Sequence, residues 1–121
     1  MKYMMCLKGR YRSLRDKVLS YIGLAMKSGN LSSGEFSTEK AVKSMTAYLV
    51  IVAKDASDNT KKKFQNMCSF YEIPVYEYGT REELGHAIGK DYRAMLAIRD
   101  EGLAKAVIKN INREVTDIWQ K

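Results

Sequence analysis

This sequence predicts an α/β fold, a three-layer α/β/α sandwich around a mixed, mostly four-stranded sheet. Two observations carry the prediction. Short apolar runs at residues 47–53, 73–78 and 94–98 are bounded by polar residues, and stretches with apolar residues every three or four positions stand around them. A run that is apolar throughout suits a strand buried on both faces, and amphipathic helices supply the cover. With 45% hydrophobic residues, eight Gly and one Pro, the chain is neither disordered nor collagen-like. Its 121 residues suit one core. The expected division is a basic segment at 1–13, a single domain at 14–112 and a tail at 113–121 that extends the last helix or frays.

Each element follows from its own residues. Leu14, Val18, Ile22 and Met26 recur every four positions, with Leu19 and Ala25 widening the stripe, so a first helix is expected there, ending at Ser28, Gly29 and Asn30. Leu31 is a brief apolar touch before the small-residue loop "SSGEFS". Ser37 or Thr38 is the expected cap of a second helix, with Ala41, Val42 and Met45 facing inward. "AYLVIVA", Ala47 to Ala53, has β-branched residues at its centre and reads as a buried strand. Ser57 or Asp58 suits the cap of a helix whose inner face holds Phe64, Met67, Cys68 and Tyr71. Ile73 to Tyr78 gives the next strand. Thr80 and Glu83 have capping-box spacing ahead of Leu84, Ala87 and Ile88, and Gly89 suits a left-handed exit from that helix. Ala94 to Ile98 forms another strand, and Leu103, Val107 and Ile111 mark the last helix.

The formal charge is +7 and is collected at one end: residues 1–30 hold seven basic residues against one acidic, and the remaining 91 residues net only +1. Such a surplus attracts polyanions, because each cation near one releases condensed counterions; a solubilising surface is the bland alternative. The start, "MKYMMCLKGRYRSLRDK", is too charged for a secretory leader, and nothing approaches a membrane span. The expected location is therefore the cytoplasm, without a membrane partner. Cys6 and Cys68 are widely spaced and read as free, inert thiols rather than a disulfide framework.

Catalytic apparatus is thin. In "ELGHAIGKDY", Gly85, Gly89 and Lys90 imitate a phosphate loop, but three residues rather than four separate the glycine from the Gly-Lys pair, and Asp91 stands where Ser or Thr is needed. These glycines also belong to a helix that ends, where the dipole presents carbonyls. Gly85 reads better as a close-packing position. His86 is a lone histidine without ligand spacing, and Glu82 and Glu83 are helical neighbours that point apart. No enzyme activity and no cofactor or metal are expected. Lys61, Lys62 and Lys63 suit a solvated helix face. "GKDYRAM" is more suggestive, since Tyr92 can stack on an unpaired base while Lys90 or Arg93 meets phosphate, though a packed Tyr fits equally well. "SSGEFSTEK" leads into a helix N-terminus whose backbone donors suit phosphate or base edges, with Lys40 one turn inside; an ordinary capped start is the alternative.

Taken in order, "GLAMKSGNLSSGE", "LVIVAKDASDNTKKK", "IPVYEYGTREELGHAIGK" and "AMLAIRDEGLAKAV" resemble the L-seven-Ae and L-thirty-e family of RNA-binding ribosomal proteins, and within it the bacterial YlxQ-type members. The resemblance covers about Leu19 to Ile111. It implies an α/β/α sandwich, no reaction and no cofactor, and recognition of kinked or internally looped RNA by loops at one end of the sheet. Gly34 and Lys40 match the glycine and lysine of the family's Gly-x-Asn-Glu-x-x-Lys signature, while Phe36 and Ser37 stand in place of its Asn and Glu and lack their amide and carboxylate. The implied RNA-binding residues are Gly34, Glu35, Phe36, Ser37, Thr38 and Lys40 in the first loop and helix start. In the second contact region they are Lys90, Asp91, Tyr92, Arg93 and Ala94, and Asp55 borders the same rim. Structured RNA, ribosomal RNA foremost, is the implied partner of a monomer; a ribosomal or other protein docking on Phe36 is the alternative.

Overall fold

The computed structural model describes residues 17–119, with side chains described through residue 112. The 1–13 segment, Cys6 and Leu14 lie outside the described residues. In chain order the elements are α1 (Lys17–Lys27), β1 (Leu31–Ser33), α2 (Glu35–Lys43), β2 (Leu49–Val52), α3 (Asp58–Tyr71), β3 (Val75–Glu77), α4 (Arg81–Ala87), β4 (Met95–Ile98) and α5 (Glu101–Trp119). The tail continues α5 as far as Trp119.

The four strands lie in the order β1-β4-β2-β3. β2 and β3 pair parallel, with Val50 opposite Val75, whereas β4 runs antiparallel to both β2 and β1. The sheet is therefore mixed, as the sequence predicts, and sandwiched between helices: α1 packs with α5 and α4, and α2 packs with α3. All four residues of β2 and of β4 are buried, as their uniformly apolar composition requires. Phe64 and Cys68 project from α3 into the core, and Val18, Ile22 and Ala25 do so from α1. Burial pushes the Cys68 thiol up to about 11, which removes the thiolate that reactivity needs. No helix among the described residues is long and apolar enough to cross a membrane.

Several expectations shift. β1 is a strand where a loop was expected: its three residues pair with β4, Leu31 opposite Ile98, and a short edge strand with one buried side chain carries almost no apolar pattern. Met26 is exposed, because a strict four-residue repeat drifts around a helix of 3.6 residues per turn, and Ala25 takes its place against the core. α2 starts at Glu35 with Gly34 as its N-cap and no side-chain cap, three residues before Ser37 and four before Thr38, the expected caps. Met45 lies beyond the end of α2, left-handed at φ 62 and 64% exposed, so it is not an inner-face residue. The Ser57 cap of α3 and the Thr80/Glu83 capping box of α4 both form as expected.

Candidate nucleic-acid interface

The strand directions decide where the candidate residues meet. β1, β2 and β3 all run one way and β4 the other, so the ends of the first three and the start of β4 share one rim. There the chain turns into α2, α3 and α4 and arrives from α4 into β4. Gly34, the first turns of α2, Asp55 and the 90–94 loop thus lie along a single edge, although as many as 60 residues separate them in sequence.

Two loops on this rim are tied directly. Gly34 donates its N–H to the carbonyl of Met95 at 3.1 Å, and Arg93 Nε donates to Ser33 Oγ at 3.3 Å. Arg93 also donates from Nη1 to the Tyr92 carbonyl at 2.7 Å, which holds the guanidinium against its own loop. Gly34 sits at φ 88, ψ 162, a region open essentially to glycine alone. A side chain there would meet nothing within 4 Å, so the backbone conformation and not crowding demands the glycine. The α2 start has no side-chain cap, which leaves backbone donors and the positive end of the helix dipole facing outward.

The side chains of α2 divide by face. Phe36 is 80% exposed, and Lys40, one turn later, is exposed beside it. Glu35 turns the other way: Lys63 Nζ lies 2.7 Å from its carboxylate and 3.1 Å from Glu39, which also pairs with Lys43 at 2.8 Å. The Lys43 ammonium, followed by Lys63, holds the Glu39 carboxyl below its ordinary range, and Glu35 and Glu39 together raise Lys63. One lysine of the basic run is therefore an anchor between α2 and α3. Thr38 is wholly buried and its hydroxyl has no partner, so it forms part of the floor and does not reach the surface of the rim. Replacing that hydroxyl by a methyl group in Thr38→Val is expected to stabilise the fold by about 1 kcal/mol, because an unpaired buried donor is costly. A lower denaturation midpoint would contradict it.

Across the rim, Tyr92 is 61% exposed, and Lys90 and Asp91 are exposed beside it. Lys90 donates its N–H to the Gly85 carbonyl at 2.8 Å. A Cβ on Gly85 would fall 2.7 Å from the Asp91 carbonyl carbon and oxygen and the Tyr92 nitrogen, which identifies what packs closely on this glycine. The Ala94 carbonyl accepts from the Ala53 N–H at 2.8 Å, fixing the far end of the loop to the residue that follows β2. Asp55 accepts from the Arg81 backbone at 2.8 Å. Arg81 and Lys54 are exposed cations on the same rim that sequence reasoning passed over; their positions at the start of α4 and shortly after β2 were the available signal. His86 is exposed in the last turn of α4, and among the described residues no three His, Cys, Asp or Glu side chains gather as a metal site would require.

The model of the ribosomal protein L7Ae/L30e/S12e/Gadd45 family matches residues 16–108. The chain is 43% identical over 91 residues to the RNA-binding protein YlxQ of Enterococcus faecium, covering 75% of this chain and 87% of that protein. It is 37% identical over 87 residues to the RNA-binding protein YlxQ of Bacillus subtilis, covering 72% and 87%. A solved structure of a protein of unknown function from Bacillus halodurans C superposes with a TM-score of 0.77 at 40% identity, covering 79% of this chain and 97% of that one.

Proposed function

Because this chain belongs to the ribosomal protein L7Ae/L30e/S12e/Gadd45 family, we propose that it is a non-catalytic RNA-binding protein of the cytoplasm, ribosome-associated, that recognises kink-turn-like or internal-loop RNA. The observation that carries this reading is the junction of the uncapped α2 start with the Lys90–Ala94 loop, tied by Arg93 to Ser33 and Gly34 to Met95. Two exposed aromatic rings, Phe36 and Tyr92, stand on that rim with exposed Lys40 and Lys90. Lysines meet phosphate and supply affinity without reading bases, whereas rings stack on bases that have left a helix. Shape is selected by requiring both at once. The +6 charge of residues 1–30 adds long-range attraction that fades with salt.

Phe36 and Ser37 stand where the signature has Asn and Glu, so stacking and backbone donors replace side-chain hydrogen bonds in this reading. The test is a titration against a kink-turn RNA and against the same RNA with its G·A pairs replaced, each across a salt series. Discrimination between the two supports kink-turn recognition; equal, steeply salt-dependent binding assigns the rim to another internal loop; no binding rejects the proposal. Lys40→Ala is expected to weaken binding to both RNAs and to reduce the salt slope by about one phosphate contact. An unchanged slope would remove Lys40 from the phosphate path. The alternative, an adaptor that docks a protein on exposed Phe36, predicts a complex that survives nuclease treatment.

A further inference from the structure

One carboxylate links three of the loops on this rim. Asp55, in the turn after β2, accepts the backbone N–H of Arg81 through Oδ1 at 2.8 Å, and its Oδ2 lies 3.6 Å from Arg81 Nε. Arg81 is the first residue of α4, and its carbonyl accepts the backbone N–H of Arg93 at 3.0 Å. The α4 capping box satisfies the N–H groups of Thr80 and Glu83 and leaves that of Arg81 free. Asp55 completes the cap from another segment of the chain, with the charge that suits a helix N-terminus.

We infer that Asp55 is a positioning residue: its carboxylate holds Arg81 and the first turn of α4, and through the Arg81 carbonyl it fixes the loop that presents Tyr92 and Arg93. This inference rests on the reading of the rim as an RNA-binding edge. A carboxylate facing a polyanion is unfavourable in itself, so its contribution to binding comes through the geometry it imposes, opposed by its charge. The two contributions have opposite signs, and that makes them separable.

The experiment compares Asp55→Ala and Asp55→Asn in the full-length protein, with two readouts. In titrations against the kink-turn RNA across salt, Asp55→Ala is expected to bind about tenfold more weakly, the scale of a lost helix cap passed on to the loop, although a negative charge has been removed. The salt slope stays unchanged because no phosphate contact is lost. Asp55→Asn keeps an oxygen for the Arg81 N–H and is expected to retain affinity within about threefold of the parent. Equal or tighter binding by Asp55→Ala, or equal loss in both variants, would overturn the inference. The second readout needs no RNA: the Arg93 amide of the free protein is expected to exchange with solvent about tenfold faster in Asp55→Ala and near the parental rate in Asp55→Asn. Unchanged Arg93 exchange in Asp55→Ala would also overturn it. If the parent binds no RNA while exchange responds as expected, the positioning role stands and the RNA-binding reading falls.

Discussion

A single methyl group placed on Gly85 is expected to dislodge the Tyr92 loop and to weaken RNA binding by at least about tenfold, as misplacing a recognition element by about an ångström does. The clash is with backbone: the added Cβ would lie 2.7 Å from the Asp91 carbonyl carbon and oxygen and from the Tyr92 nitrogen, and no rotamer change relieves it. Two effects on stability compete. Ala in place of Gly inside a helix gains about 1 kcal/mol, whereas forcing atoms into a packed contact costs about 1–3 kcal/mol. With three backbone atoms involved, the second is expected to win, and the melting temperature of Gly85→Ala should fall by several degrees. The same displacement strains the hydrogen bond from Lys90 N–H to the Gly85 carbonyl. A variant that melts higher and binds RNA as the parent does would show that the loop adjusts freely and is not seated on α4.

Removing the ring of Tyr92 tests the site itself. Tyr92 is 61% exposed, so Tyr92→Ala is expected to leave stability within about 0.5 kcal/mol of the parent. Base stacking on an aromatic side chain is worth roughly 1–3 kcal/mol, which places the loss of RNA affinity between about fivefold and about 150-fold. Because the ring bears no charge, the salt slope should remain that of the parent, in contrast to Lys40→Ala. Tyr92→Phe keeps the π-face and should bind nearly as well. Equal losses in the Phe and Ala variants would assign the contribution to the hydroxyl, and no loss in either would place the base elsewhere.

The parts of the molecule that were legible in sequence are those with local causes. "AYLVIVA" announces a strand buried on both faces, and Thr80 and Glu83 fix the start of α4 through hydrogen bonds three residues apart. Phe64 and Cys68 share a helix face whose spacing is visible without a partner. What could not be read depends on partners remote in the chain. β1 exists because Leu31 meets Ile98, and Glu35 is withdrawn from the rim by Lys63, 28 residues away. The cap of α2 is Gly34, because glycine adopts a backbone conformation there that other residues avoid, so Thr38 lies in the core where the sequence suggests a cap. Asp55 stood among the candidate contacts, yet its carboxylate faces Arg81, 26 residues on. The family resemblance pointed to the loops of this rim; which of their side chains face outward, and which are held inward, required the fold.

The sheet's outer strands carry a further consequence. β1 and β3 are each three residues long, and Pro74, immediately before β3, has no N–H to offer a neighbour. A strand from a second copy of the chain would find few donors and acceptors on either side and would also meet a like charge of +7. Edge-to-edge pairing is the usual hazard of an open sheet, and the brevity that made β1 hard to see in the sequence also leaves a neighbouring strand little to pair with.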